Sequence, residues 1–156
     1  MTIDSVNRVD AATAWSQLSE CGEVRVGMVA PAQTINVSRE HVDRVHSAIA
    51  AVVGDVDVPL GIADVCPDPL VFAMRAGLPR LAGFDQTIDG GSTWRDEAPP
   101  SIGLLYAVSQ ITEIAERRTT GGRRLVRVVY TTRLTDTRGE LVGVAQGTSI
   151  HIGGAA

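Results

Sequence analysis

The sequence predicts an α+β fold in which an antiparallel sheet wraps around a buried central helix. Three observations carry this. Apolar residues recur at helical spacing in the first half of the chain and at every second position in the second half. The short run Leu70-Val71-Phe72-Ala73-Met74 is apolar nearly all round, the character of a helix enclosed by other structure. Two turn signals, Thr119-Thr120-Gly121-Gly122 and Asp136-Thr137-Arg138-Gly139, join consecutive strand-like segments into hairpins. Helices followed by a run of hairpins is an α+β order.

Each element has its own warrant. Residues 8–18 place Ala11, Ala14, Trp15 and Leu18 on one side of a helix, with Asn7 as N-cap and Cys21-Gly22 as its end. Residues 1–23 are therefore expected to form a helical extension. Residues 24–37 read as an extended lead-in broken by Pro31. Ser38 suits an N-cap, and Glu40 in the first turn suits the helix dipole. Val42, Val45, Ile49, Val52 and Val53 then share one helix face until Gly54 stops it. Residues 55–69 read as a loop holding Pro59, Pro67 and Pro69. Asp68 followed by Pro69 is an N-cap and first-turn pair that opens the apolar helix, and Gly77 and Pro79 end it. Strands are expected over 86–94, 102–114, 124–135 and 141–152. In the third, Val126, Val128, Tyr130, Thr132 and Leu134 alternate with their neighbours. In the fourth, Val142, Val144, Gln146, Thr148, Ile150 and Ile152 share a face.

Composition narrows the function. The chain has 156 residues, 44% apolar and 21% charged, which suits one globular domain, expected over 24–152 with a flexible tail at 153–156. A net charge of −4 disfavours a partner held through nucleic-acid phosphates. All fourteen basic residues are Arg, so lysine-dependent chemistry is excluded. Cys21 and Cys66 are too few for a disulfide framework, and with His41, His46 and His151 they make no metal-ligand spacing. The first residues carry an acid and no apolar run, so no secretory signal is expected. The apolar stretches at 48–53 and 102–108 fall far short of the about 20 residues a membrane span needs. A cytoplasmic protein with reduced thiols is expected.

The order of elements is that of a hot-dog domain, and particular residues add to the likeness. Val37-Ser-Arg-Glu-His-Val42, Gly54-Asp55 and Val65-Cys-Pro-Asp-Pro-Leu-Val-Phe72 resemble, in order, the first helix, the loop and the central-helix opening of the N-terminal hot-dog domain of MaoC-like (FAS1-like) dehydratases. Asp89-Gly-Gly-Ser-Thr-Trp94 and the run from Asp136 to Thr148 resemble that family's later strand and final hairpin. The resemblance covers residues 24–152. It implies hydration or dehydration of an acyl-CoA or acyl carrier protein thioester, with no cofactor, by a loop Asp and a His five residues later. Histidine suits this because it gives and takes protons near neutrality.

The departures set the expected role. Asp55 matches the family's acid, but the His position falls on Gly61, with one extra residue between. Leu104 stands where the family has an Asp near a strand end. The resemblance therefore implies a non-catalytic unit that shapes the acyl pocket beside a catalytic hot-dog subunit, or a self-dimer. It also implies substrate binding at Leu70, Val71 and Phe72, where backbone N–H groups at the helix start form an oxyanion site; Pro69 has none to give. Arg123 and Arg124, beside Arg117-Arg118, could clamp coenzyme A phosphates, or simply be a solvated hairpin tip. Two other readings stay open: a hot-dog thioesterase using Asp55, Asp57 or Asp64, and a binding or assembly subunit without chemistry. Taken alone, Asp55 reads as a solvated turn residue and Asp68 as a helix cap. His46 reads as packed on the helix's apolar side, His41 as an exposed first-turn residue and His151 as a strand-surface residue.

Overall fold

In the computed structural model, which describes residues 14–54, 59–66, 77–99 and 102–153, the elements run β1 (Ser16–Leu18), β2 (Glu20–Cys21), β3 (Val24–Arg25), β4 (Gln33–Val37), α1 (Arg39–Val53), α2 (Ile62–Val65), β5 (Gln86–Asp96), β6 (Gly103–Arg118), β7 (Arg124–Thr135) and β8 (Leu141–Ile152). The fold is α+β. Strands β5 to β8 are the segments the period-two pattern marks, and the two turn signals join β6 to β7 and β7 to β8. The sheet order is β1-β6-β7-β8-β5, and β4 also pairs with β6. Every pairing in it is antiparallel. β4 and β1 share one edge of β6, at Gly103–Ala107 and Ile114–Glu116 respectively.

Val126, Val128, Tyr130, Thr132 and Leu134 of β7 are all buried, as their alternation requires. Two apolar clusters lie along this face. One gathers Ile35, Val37, Leu105, Ala107, Leu134 and Val142 around Ile62, Val65 and Cys66. The other gathers Cys21, Val24, Ile111, Ile114, Val126, Val128 and Tyr130. Between them the buried Ser109 and Thr132 hydroxyls bond to each other across the β6–β7 register. A bulge at Thr112 changes the parity of β6, so Ile111 and Ile114 both reach the second cluster.

Four expectations need correction. The helix expected over 8–18 is a strand at its described end. The free edge of β6 hydrogen-bonds Ser16–Leu18, while the Arg117 and Arg127 guanidinium groups cover the Trp15 ring at 4.8 and 4.6 Å. The segment before residue 14 lies outside the described residues. Second, α1 starts at Ser38, whose Oγ accepts from the His41 N–H, and stops at Gly54 as expected, but none of its residues is buried. Only Val42 leans on the first cluster. Val52 and Val53 are exposed, and so is His46. Third, the loop at 55–69 contains the single turn α2.

Fourth, the alternating apolar face read in β8 is not its buried face. From Gly143 onward the buried residues are Gly143, Ala145, Gly147, Ser149 and His151. An irregularity at Val142 shifts the register, and small residues let neighbours approach the sheet. Asp55, Asp57, Asp68 and the apolar run Leu70–Met74 lie outside the described residues. No helix among those described is long and apolar enough to cross a membrane.

Candidate functional site

Gly61 stands at the turn into α2, and two carboxylates fix it. Its N–H donates to Asp64 Oδ2 at 2.7 Å, and the next N–H, of Ile62, donates to Asp96 Oδ1 at 2.8 Å. Ile62 is fully buried and presses on Gly143, where a Cβ would come within 2.5 Å of Ile62 Cγ2. Residue 61 has ordinary extended backbone geometry, φ −88° and ψ 171°, so conformation does not demand glycine there. Space bears on it: an ideal Cβ at 61 would lie 2.2 Å from Asp96 Oδ2, so a side chain there requires the Asp96 carboxylate, which accepts from the Ile62 N–H, to move. The Asp96 carboxylate, carried by the end of β5, thus fills the place where any side chain at 61 begins. Gly61 was legible in the sequence, as the position where the resemblance places a His; α2 was not, because its segment reads as loop. Asp96 was not, because only the sheet brings β5 beside α2.

The other residues singled out in the sequence are dispersed where they are described. Asp55, Leu70, Val71 and Phe72 lie outside the described residues. Asp64, one of the carboxylates considered for hydrolysis, is exposed and engaged with the Gly61 N–H. Arg123 and Arg124 are not brought together: Arg123 belongs to the hairpin turn, and Arg124 opens β7. Arg123 is exposed at the hairpin tip. Arg124 is half-buried, donating to Glu116 Oε2 at 2.9 Å and toward Cys21 Sγ at 3.7 Å. The hydrogen bond to Glu116 raises its pKa above the ordinary arginine value against the opposing effect of burial. Arg117 stacks on Trp15, and Arg118 donates to the Gly122 carbonyl.

The histidines depart from their readings. His41 is half-buried rather than exposed, and its Nε2 is buried with no hydrogen-bond partner among the described residues. His151 is buried rather than on the strand surface. Its Nδ1 lies 3.0 Å from Thr87 Oγ1 and its Nε2 3.0 Å from Ser149 Oγ. Burial, and then repulsion from Arg80, push its pKa below the ordinary histidine value. Its place on the glycine- and alanine-bearing face of β8 was the available signal, but apolar alternation pointed to the other face. Among the described residues no group of three or more His, Cys, Asp or Glu could hold a metal ion.

No family model matches the sequence, and no curated protein matches it. Solved structures do. A structure described as a MaoC-like dehydratase matches with 25% identity and a TM-score of 0.50, over 84% of this chain and 43% of that one. A monoamine oxidase regulatory protein from Archaeoglobus fulgius matches at 15% identity and a TM-score of 0.49, over 85% and 93% of the two chains. A MaoC-like dehydratase from Rhodospirillum rubrum matches at 17% identity and a TM-score of 0.48, over 85% and 96%. The fold is the hot-dog fold. The chain spans less than half the length of the first of these structures.

Proposed function

We propose that this chain is a non-catalytic, pocket-shaping hot-dog subunit of a MaoC-like (R)-specific enoyl-CoA hydratase or 3-hydroxyacyl-thioester dehydratase. It lends its fold to an acyl-thioester site whose Asp and His come from a partner chain. The observation that carries the reading is Gly61. The family resemblance puts the proton-transferring His at this position, and here the Asp96 carboxylate takes up the space next to its Cα. A side chain at 61 would have to displace the carboxylate that accepts from the Ile62 N–H, beside an amide already tied to Asp64. The N–H groups of Leu70 and Val71 remain the proposed thioester-carbonyl donors, with Phe72 beside them in the pocket. They need no particular side chain, so binding survives where proton transfer is lost.

General acid–base catalysis contributes about 10²- to 10⁴-fold, so losing one member of the pair removes useful turnover. The purified chain alone is expected to leave trans-2-enoyl-CoA unhydrated in a spectrophotometric assay. Adding a hot-dog subunit with an intact Asp and His is expected to restore hydration, with Asp55→Asn in this chain changing it little. Turnover by this chain alone, abolished by Asp55→Asn, would overturn the proposal. Release of free thiol from acyl-CoA by the chain alone would favour a thioesterase instead.

A further inference from the structure

The end of the sheet away from Gly61 holds a buried titratable side chain that the proposed function does not use. We propose that His151 is a proton-operated latch: its protonation releases the strap of residues 77–84 from the sheet and bares the Cys21 thiol.

The geometry supplies each part. Leu78, Leu81 and Phe84 anchor the strap on the second apolar cluster. Gly77 and Gly83 bracket most of it with φ of +79° and +80°, and no described atom crowds either position, so both can act as hinges. Phe84 contacts two charged or titratable groups, its ring centroid 5.5 Å from the His151 ring and 5.8 Å from the Arg124 guanidinium. Leu81, Ala82, Gly83 and Phe84 line a pocket of about 280 Å³ together with Cys21, Gly22 and Arg124. Moving the strap removes that lining from beside the thiol.

The charges give the movement its direction. On the strap, Arg80 repels a charged imidazole. At its end, Asp85 directs its carboxylate at the Cα of Gly153. From β7, Arg124 reaches Phe84 with its charge engaged by Glu116 of β6. On β5 and β8 the ring's partners are the Thr87 and Ser149 hydroxyls. Among the described residues no carboxylate hydrogen-bonds the ring, so a second proton creates a buried cation that Arg80 repels. A group that binds its proton more weakly in the closed state drives opening as pH falls.

Cys66 is the internal reference, because it is buried in the other cluster. The full chain would be labelled briefly with 4,4′-dithiodipyridine at about pH 7.5 and about pH 5, where histidine titrates. Mass spectrometry of the peptides then gives the ratio of Cys21 to Cys66 modification. The ratio is expected to rise about threefold or more at the lower pH in the wild type. It should stay flat in His151→Gln and rise less in Arg80→Gln, an exposed position that carries the test if His151→Gln folds poorly. A flat ratio in the wild type, or a rise in either variant as large as the wild type's, overturns the latch.

Discussion

The two ends of the sheet's packed face are finished by opposite means. Beside Gly61, α2 closes the face by contact between apolar and backbone atoms, with Ile62 seated on Gly143 and its N–H held by Asp96. Beside Cys21, the strap closes it over a polar group, His151, whose two nitrogens meet hydroxyls. Both ends depend on the same strand. β8 offers Gly143 at one end and Ser149 and His151 at the other, small or polar residues where its outward face carries Val144 and Ile150. Omitting bulk lets a neighbour sit close at the first end and admits a titratable ring at the second. The first end should therefore be sensitive to volume, and the second to pH.

The largest effect is expected from emptying the first end. Ile62→Ala removes a fully buried side chain from the cluster that seats α2. It should cost about 2–5 kcal/mol in urea unfolding. A loss under about 1 kcal/mol would mean that α2 does not hold this end closed. Gly143→Ala comes next, by overfilling the same contact. A β-branched side chain cannot easily swing away from a new methyl, so a cost of about 1–3 kcal/mol is expected. Combined with Ile62→Ala, the added methyl meets empty space, and the double variant should be more stable than the sum of the two losses predicts.

The second end answers to protons, with a smaller effect on global stability. The folded-state pKa of His151 is lowered from its ordinary 6.5, first by burial and then by Arg80. Its neutral form is the one the fold prefers. The resulting stability is complete above about pH 6.5 and is lost as pH falls through the lowered folded-state pKa. Urea midpoints measured from pH 7.5 downward should fall more steeply in the wild type than in His151→Gln. Parallel curves would remove the distinction between the two ends.

How much of this was legible follows from the reach of each signal. The four long strands and both hairpin turns were readable because alternation and turn chemistry are local. Ser38 and Gly54 were readable for the same reason, each acting within a turn of its own position. The strand at Ser16–Leu18 was not, since its pairing partner lies on β6 about a hundred residues away. His151 was misplaced because periodicity weighs apolar bulk, while β8 is buried on the side with the least of it. Of the candidate site, Gly61 could be found by its missing side chain. The carboxylate that occupies the space beside it belongs to Asp96, which only the sheet brings near.

The smallest effect is expected at α1, where sequence pattern and packing part company. Val42, Val45, Ile49, Val52 and Val53 have the spacing of a buried face, yet Val52 is 85% exposed. Amphipathic spacing reports that one side of a helix is apolar, and something must still lie against that side for it to contribute stability. At Val52 little surface is withdrawn from water, so the transfer contribution lost on introducing a charge is small. Glutamate also has a higher helix propensity than valine, which offsets part of that loss. Val52→Glu should therefore shift unfolding by no more than about 0.5 kcal/mol in either direction, measured beside Ile62→Ala under the same conditions. A loss of more than about 1 kcal/mol would show that this end of α1 is covered in solution, and the contrast between a rim helix and the closed sheet face would have to be redrawn.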